Sequence, residues 1–166
     1  MKNPAILSRS FYEQSTKEVA KQLLGKIIVR GDISARITET EAYVGSHDLA
    51  SHSKVGVTKR TITMFGPAGH AYVYLIYGMY YCLNIVTEKE GNGCAVLIRS
   101  IEQVSGPGRV CKFLKIDKTL NDVDITKKGV LYIVDGPKPK KIFKGKRIGI
   151  DYAGKWKNVE LRFYCS

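Results

Sequence analysis

The sequence predicts a single α+β domain spanning residues 1–166. Three observations carry that expectation. Strand-like segments of alternating or β-branched residues recur from residue 26 to the C-terminus, while helical periodicity is confined to two short stretches. No repeat, low-complexity run or linker divides the chain, and its 166 residues suffice for one real hydrophobic core but hardly for two.

Ser15-Thr16-Lys17-Glu18 has the spacing of a capping box, in which the serine oxygen serves an early amide and the glutamate reaches back to the cap. Val19, Ala20, Leu23 and Leu24 then mark one helical face, and Gly25 stops the helix. The stretches 26-KIIVR-30 and 35-ARITETEAYV-44 read as strands joined around Gly31-Asp32, a pair suited to a hairpin turn. Residues 45–70, rich in Gly, Ser, His and Thr and without a sustained period, read as a long functional loop. Residues 71–77 and 80–87 read as strands meeting at Gly78-Met79, and 94-CAVLIRS-100 as a buried strand. The segment 106-GPGRVCKFLKI-116 reads as a short helix entered through Pro107. Strands at 129–135, 147–150 and 159–165 complete the expectation.

An apolar fraction of 44% with 25% charged residues is ordinary for a globular protein and excludes wholesale disorder. The N-terminal MKNPAILSRSFYEQSTKE has no apolar core of signal-peptide length. The longest apolar run, 72-YVYLIYGMYYCLN-84, is interrupted and too short to cross a bilayer. The expectation is a cytoplasmic monomer without membrane attachment, nucleoid-associated in a bacterium or nuclear in a eukaryote. Cysteines at 82, 94, 111 and 165 form neither a C-x-x-C pair nor a regular framework, which fits reduced thiols. His47, Asp48 and His52 lie close in sequence, but neither an H-E-x-x-H pattern nor neighbouring thiols support a metal centre. No metal and no cofactor are expected.

Charge is more informative. The net charge is +12, from 27 Lys and Arg against 15 Asp and Glu. Residues 49–87, 103–116 and 136–150 contain no acid, and 138-KPKKIFKGKR-147 holds six basic residues in ten. Any one such run is ordinarily a solvated face. Three in one small domain point to a polyanionic partner, nucleic acid first, with Lys140 and Lys141 as candidate contacts.

Strand alternation puts Glu39, Glu41 and Tyr43 on one face of 38-TETEAY-43. A solvated pair is the bland reading of two such glutamates. A carboxylate beside bound phosphates is electrostatically costly, however, unless it has a task such as activating water. In the tyrosine-rich segment, Tyr72 and Tyr74 share a strand face while Tyr77 is expected on the opposite one, beside the turn glycine. Core packing suits Tyr72 and also Tyr80 and Tyr81. It suits Tyr77 poorly, because a ring at a hairpin end in a basic protein can wedge between bases, whereas a ring further in can stack on one.

The ordered series TETEAYVG, His52-Ser53, 58-TKRT-61, MFGPAGHAYVYLIYGMYYCLN, VLIR, GPGRVCKFLKI, RIGIDYAGKW and LRFY resembles the alkyladenine (3-methyladenine) DNA glycosylase family over about residues 8–165. The resemblance implies a curved, mostly antiparallel, open-barrel-like sheet with a few peripheral helices and a protruding β-hairpin. It also implies an enzyme that flips alkylated or deaminated purines out of double-stranded DNA and hydrolyses the N-glycosidic bond without a cofactor. On that likeness Glu41 would be the general base, with Arg99 and the backbone carbonyl of Ile148 holding the attacking water. Tyr43, His52 and Tyr74 would line the base pocket and Asn84 would obstruct the amine of normal guanine. Tyr77 would be the wedge, with Met79 and Arg60 as further DNA contacts. One departure stands out: between Glu102 and Ser105, where the family carries a longer segment, only Gln103 and Val104 remain. The rival reading is a non-catalytic binder of RNA or damaged DNA, in which Glu41 would be idle.

Overall fold

One curled antiparallel sheet takes up most of the β-forming residues in the computed structural model, which describes residues 3–165. Its eight strands are β1 (Ile27–Arg30), β2 (Ile33–Tyr43), β3 (Ala71–Ile76), β4 (Tyr80–Thr87), β5 (Cys94–Ile101), β6 (Tyr132–Val134), β7 (Ile142–Gly145) and β8 (Arg162–Cys165). The path runs β3-β4-β5-β2-β1-β6, with β8 also on β2 and β7 on β8. The long strand β2 is the pivot. Its first half pairs with β1, and its second half lies between β5 and β8. Between the two halves the register against β5 slips at Ile37–Thr40, an irregularity of the kind that bends a strand and strengthens its twist. The sheet therefore curls into half a barrel, and the strand leaving the bend carries Glu41.

Helices α1 (Arg9–Tyr12), α2 (Thr16–Gln22) and α3 (Pro107–Phe113) pack against the sheet through the main core cluster. Val19 and Ala20 from α2, Leu23 at its C-terminal end, and Val110 and Leu114 at α3 join Ile28, Ile37, Leu83, Ile85 and Ile98 in one fully buried cluster. Each large aliphatic side chain there contributes about 1.5–3 kcal/mol relative to exposure. Ser15 caps α2, accepting from the Glu18 amide at 3.4 Å, whereas the Glu18 carboxylate turns to Lys21 instead of returning to the cap. At Gly108, a Cβ would come within 2.9 Å of the Tyr80 ring, so only glycine lets α3 lie this close to β4.

The sequence expectations are met for both hairpins, β5, α2 and α3, and corrected in four places. Residues 147–150 are not a strand: Arg147 is buried against Asp48 and the Ile148 amide serves Glu41, so this segment bonds to side chains rather than to a neighbouring strand. A strand forms instead at β7, inside the basic run, where Phe143 stacks on Tyr164 at 5.4 Å and gives the ribbon an apolar component that the lysines obscure. The strand expected over 129–135 shrinks to β6, because its partner β1 offers only Ile27–Val29 for pairing. Tyr80 is half exposed, not core, while Tyr72 is buried as expected. The four residues of α1 went unread. Among the described residues no helix is long and apolar enough to cross a membrane.

Candidate active site

Strands β2, β3, β4 and β5 wall a cleft of about 390 Å³, within the range of small-molecule sites. The period of two along β3 sends Val73 to the core and Tyr72 and Tyr74 to the cleft. On β2 the same alternation sends Thr40 inward, where it donates to the Ala20 carbonyl, and Glu41 to the cleft floor. Glu41 has no exposed surface. Its Oε1 accepts from the Tyr43 hydroxyl at 2.9 Å, its Oε2 accepts from the Ile148 amide at 2.8 Å, and Arg99 Nη1 stands 3.9 Å from Oε2. Burial pushes the Glu41 carboxyl above its ordinary range, against the opposing pull of Arg99, the Ile148 amide, Tyr43 and Arg147. The result is an anchored carboxylate more basic than a surface one.

The aromatic wall is built by contact. His52 and Tyr74 meet edge to face at 4.3 Å, Tyr72 lies 5.3 Å from Tyr74, and the Tyr72 hydroxyl reaches His52 Nδ1 at 3.1 Å. Burial first, then the Arg60 and Lys54 cations, lower the His52 pKa to about 4, so its ring is neutral at physiological pH. Asn84 is buried and donates to the Tyr72 carbonyl at 3.3 Å, which fixes its amide in the cleft wall. Cys82 shares that wall as a thiol that burial pushes up to about 11 and so keeps protonated.

The His52 shift has a consequence for stability. The unfolded imidazole takes a proton near pH 6.5 and the folded one only near 4, so the fold keeps its full stability above 6.5 and loses some as pH falls through that interval. Denaturant titrations at pH 7 and pH 4.5 should show a smaller acid-induced loss in His52→Asn than in the parent. Equal losses in both proteins would remove His52 from the account.

The cleft therefore gathers Glu41, Arg99, Ile148, Tyr43, His52, Tyr74, Asn84, Arg60 and Tyr77. Arg60 sits at the mouth, its guanidinium 5.6 Å from the Tyr74 ring centre. Tyr77 corrects an expectation: it is not a strand residue on the far face but the first residue of the β3–β4 turn, 87% exposed at the cleft rim. Tyr77 and Gly78 both have positive φ, 54° and 64°, the sense of turn that matches the strand twist. A non-glycine residue in that region is uncommon and worth about 1–3 kcal/mol of strain. Met79 is exposed at the same tip, outside the cleft, and Lys140 and Lys141 lie exposed just before β7. The residues raised as a metal cluster have other partners: Asp48 pairs with Arg147, His52 with Tyr72, and His47 packs on Trp156 at 5.4 Å.

Sequence reasoning missed Arg147, Asp48 and Tyr152. Arg147 makes two bonds to Asp48, at 2.6 and 2.9 Å, donates to the Ala42 carbonyl, and lies 4.9 Å from the Tyr43 ring centre. It thereby supports the face of Tyr43 and fixes the segment that presents the Ile148 amide. The available signal was Asp48 itself, the last acid before a long acid-free loop. Tyr152 is two-thirds exposed on the cleft wall. After β5, the Ile101 amide donates to the Val104 carbonyl and the Gly106 amide to that of Arg99, so the connection closes as a tight turn and brings Pro107 to the cleft beside Arg99.

A family model described as Methylpurine-DNA glycosylase matches residues 10–106 and 103–166, two stretches that overlap in the turn after β5. A relative from Legionella pneumophila (strain Lens), named "Putative 3-methyladenine DNA glycosylase", is 52% identical over 171 residues, covering 95% of this chain and 93% of its own. Proteins of the same name from Methanocella arvoryzae and Ehrlichia chaffeensis are 47% identical over 183 residues and 54% over 132, covering 96% and 74% of this chain and 92% and 73% of their own. With both stretches matched and these identities over most of its length, the chain belongs to the methylpurine-DNA glycosylase family.

Proposed function

We propose that this protein is a monofunctional DNA glycosylase that extrudes alkylated or deaminated purines from duplex DNA and hydrolyses the N-glycosidic bond with water activated by Glu41. One observation carries the reading: a fully buried carboxylate, anchored by an amide and a phenol and facing an arginine, on the floor of a cleft walled by tyrosines and a neutral histidine. A protein that only bound nucleic acid would have no use for that carboxylate.

The chemistry follows from the parts. As the glycosidic bond stretches, positive charge develops on the sugar, and a carboxylate nearby stabilises it. The purine leaves with the bonding electrons, water oxygen bonds to C1′, and the proton it sheds passes to Glu41. Arg99 and the Ile148 carbonyl hold the water. A purine alkylated at N3 or N7 is already cationic and departs as a neutral base, and its electron-poor ring is drawn to aromatic faces. Tyr43, His52 and Tyr74 enclose the base, while Asn84, fixed by the Tyr72 carbonyl, opposes the amine of normal guanine.

Discrimination at the cleft is tested with duplexes carrying 7-methylguanine, ethenoadenine, hypoxanthine or undamaged guanine. The damaged purines should be released, and guanine should be released detectably only in an Asn84→Ala variant. Guanine release equal in parent and variant would contradict the role of Asn84.

Association with undamaged duplex should weaken steeply with salt, each neutralised phosphate contributing a slope of about 0.9 in log affinity against log salt. Replacing Lys140, Lys141 and Lys144 by alanine should lower that slope. An unchanged slope would make the β7 lysines a solvated edge only.

A further inference from the structure

Glu39, the other carboxylate on the Glu41 face of β2, is bound on every side. Its Oε1 accepts from the Ser100 hydroxyl at 2.7 Å and lies 3.5 Å from Arg99 Nε. Its Oε2 accepts from Arg162 Nη1 at 3.0 Å, and Arg162 Nε in turn donates to the Lys146 carbonyl at 2.8 Å. Glu39 is not part of the cleft lining. Two routes nonetheless lead from it to the same atom. Through Arg99 it governs the guanidinium that stands 3.9 Å from Glu41 Oε2, and through Arg162 and Lys146 it braces the segment whose Ile148 amide bonds that oxygen at 2.8 Å.

We propose that Glu39 is a positioning residue for the reaction: it holds Arg99 back from Glu41, so that the Glu41 carboxylate stays available to water rather than closed in a direct ion pair. The inference rests on the glycosylase reading above. Arg99 has two carboxylates within reach and is nearer to Glu39. Its Nε is buried and makes no hydrogen bond, so the carboxylate beside it is the charge that keeps it in place. Were Glu39 neutral, Glu41 would be the sole carboxylate attracting Arg99, and the gap of 3.9 Å would close. A directly paired carboxylate is a weaker base.

Other groups facing Glu41 leave that expectation in place. Tyr43 from β2 is bonded to Glu41 itself and Arg147 from the segment after β7 is bonded to Asp48, which leaves Arg99 from β5 as the cation free to shift. Tyr74 from β3, Cys82 from β4 and Tyr152 from the 3-10 segment Asp151–Asn158 are neutral, with their pKa values raised by burial. Arg162 on β8 is cross-strand from Glu41 but turned to Glu39.

The test combines a titration with kinetics. In protein labelled with ¹³C at the glutamate carboxyls, the Glu41 midpoint should fall in Glu39→Gln relative to the parent. The single-turnover rate of base release at neutral pH should drop between about tenfold and a hundredfold, the scale of a catalytic group displaced by an ångström or so. Affinity for a lesion duplex, read by fluorescence anisotropy, should stay within twofold. Glu39→Asp keeps the charge with a shorter reach and should fall between the two in midpoint and rate, which covers the case of a poorly folded amide variant. An unmoved or raised Glu41 midpoint, an unchanged rate, or equal loss of rate and affinity would overturn the proposal. The titration needs no turnover: a lowered midpoint in Glu39→Gln, together with a parent that releases no base, would sink the glycosylase reading while leaving the Glu39–Arg99–Glu41 coupling intact.

Discussion

Glu41→Gln should bind a lesion-containing duplex with the parent's affinity and release base at least about a hundredfold more slowly, the lower bound of what a positioned general base contributes. The amide nearly preserves volume, so the aromatic wall and the wedge are undisturbed. It cannot accept the proton of water, and its NH₂ would have to face either the Ile148 amide or the Tyr43 hydroxyl, both of which now donate to Glu41. Because burial raises the Glu41 pKa, the parent's rate on a cationic lesion should fall on the acid side, with a midpoint above that of an ordinary glutamate. The sign is fixed by the chemistry: only the ionised form is a base. The variant should show no such limb. Single-turnover rates across pH with a 7-methylguanine duplex check both points, and an unchanged rate in Glu41→Gln would remove it as the catalyst.

Tyr77 and Tyr74 should separate by substrate. On the proposed mechanism Tyr77, on the exposed turn, fills the space left by an extruded nucleotide, so Tyr77→Ser should make extrusion costlier and slow release from fully paired duplex. Tyr74, packed against His52 and Tyr72, should stack on the extruded base, a contact of about 1–3 kcal/mol by analogy with single-strand stacking platforms. Placing the lesion opposite an abasic gap lowers the extrusion cost. That substrate should restore Tyr77→Ser far more than Tyr74→Ala, with both variants shown to be folded by circular dichroism. Equal restoration, or none, would return the segment to a packing role.

Legibility in the sequence followed the range of the interactions. The β1–β2 and β3–β4 hairpins could be read because alternation and turn glycines are local signals, and with them came the shared strand faces of Glu41 and Tyr43 and of Tyr72 and Tyr74, although Tyr72, expected in the core, is buried at the cleft wall. Their chemical roles came from the motif series, not from periodicity. Illegible were features fixed by partners distant in the chain. Arg147 looks like one more member of a basic run until Asp48 is found against it, and Ile148 looks like a strand residue until its amide meets Glu41. β7 hides because lysines on an edge strand resemble a loop, and its partner β8 is identifiable only in three dimensions. Tyr77 was displaced from its expected face because positive φ at the turn interrupts the alternation from which that face was inferred.

The central claim is most directly tested by incubating the protein with a duplex carrying a single hypoxanthine, with the strand end-labelled and the released base collected. The account predicts free hypoxanthine, a strand that stays intact until alkali is added, and then one break at the lesion site. Free base absent and no alkali-labile site, in a preparation that still binds the duplex, would contradict it.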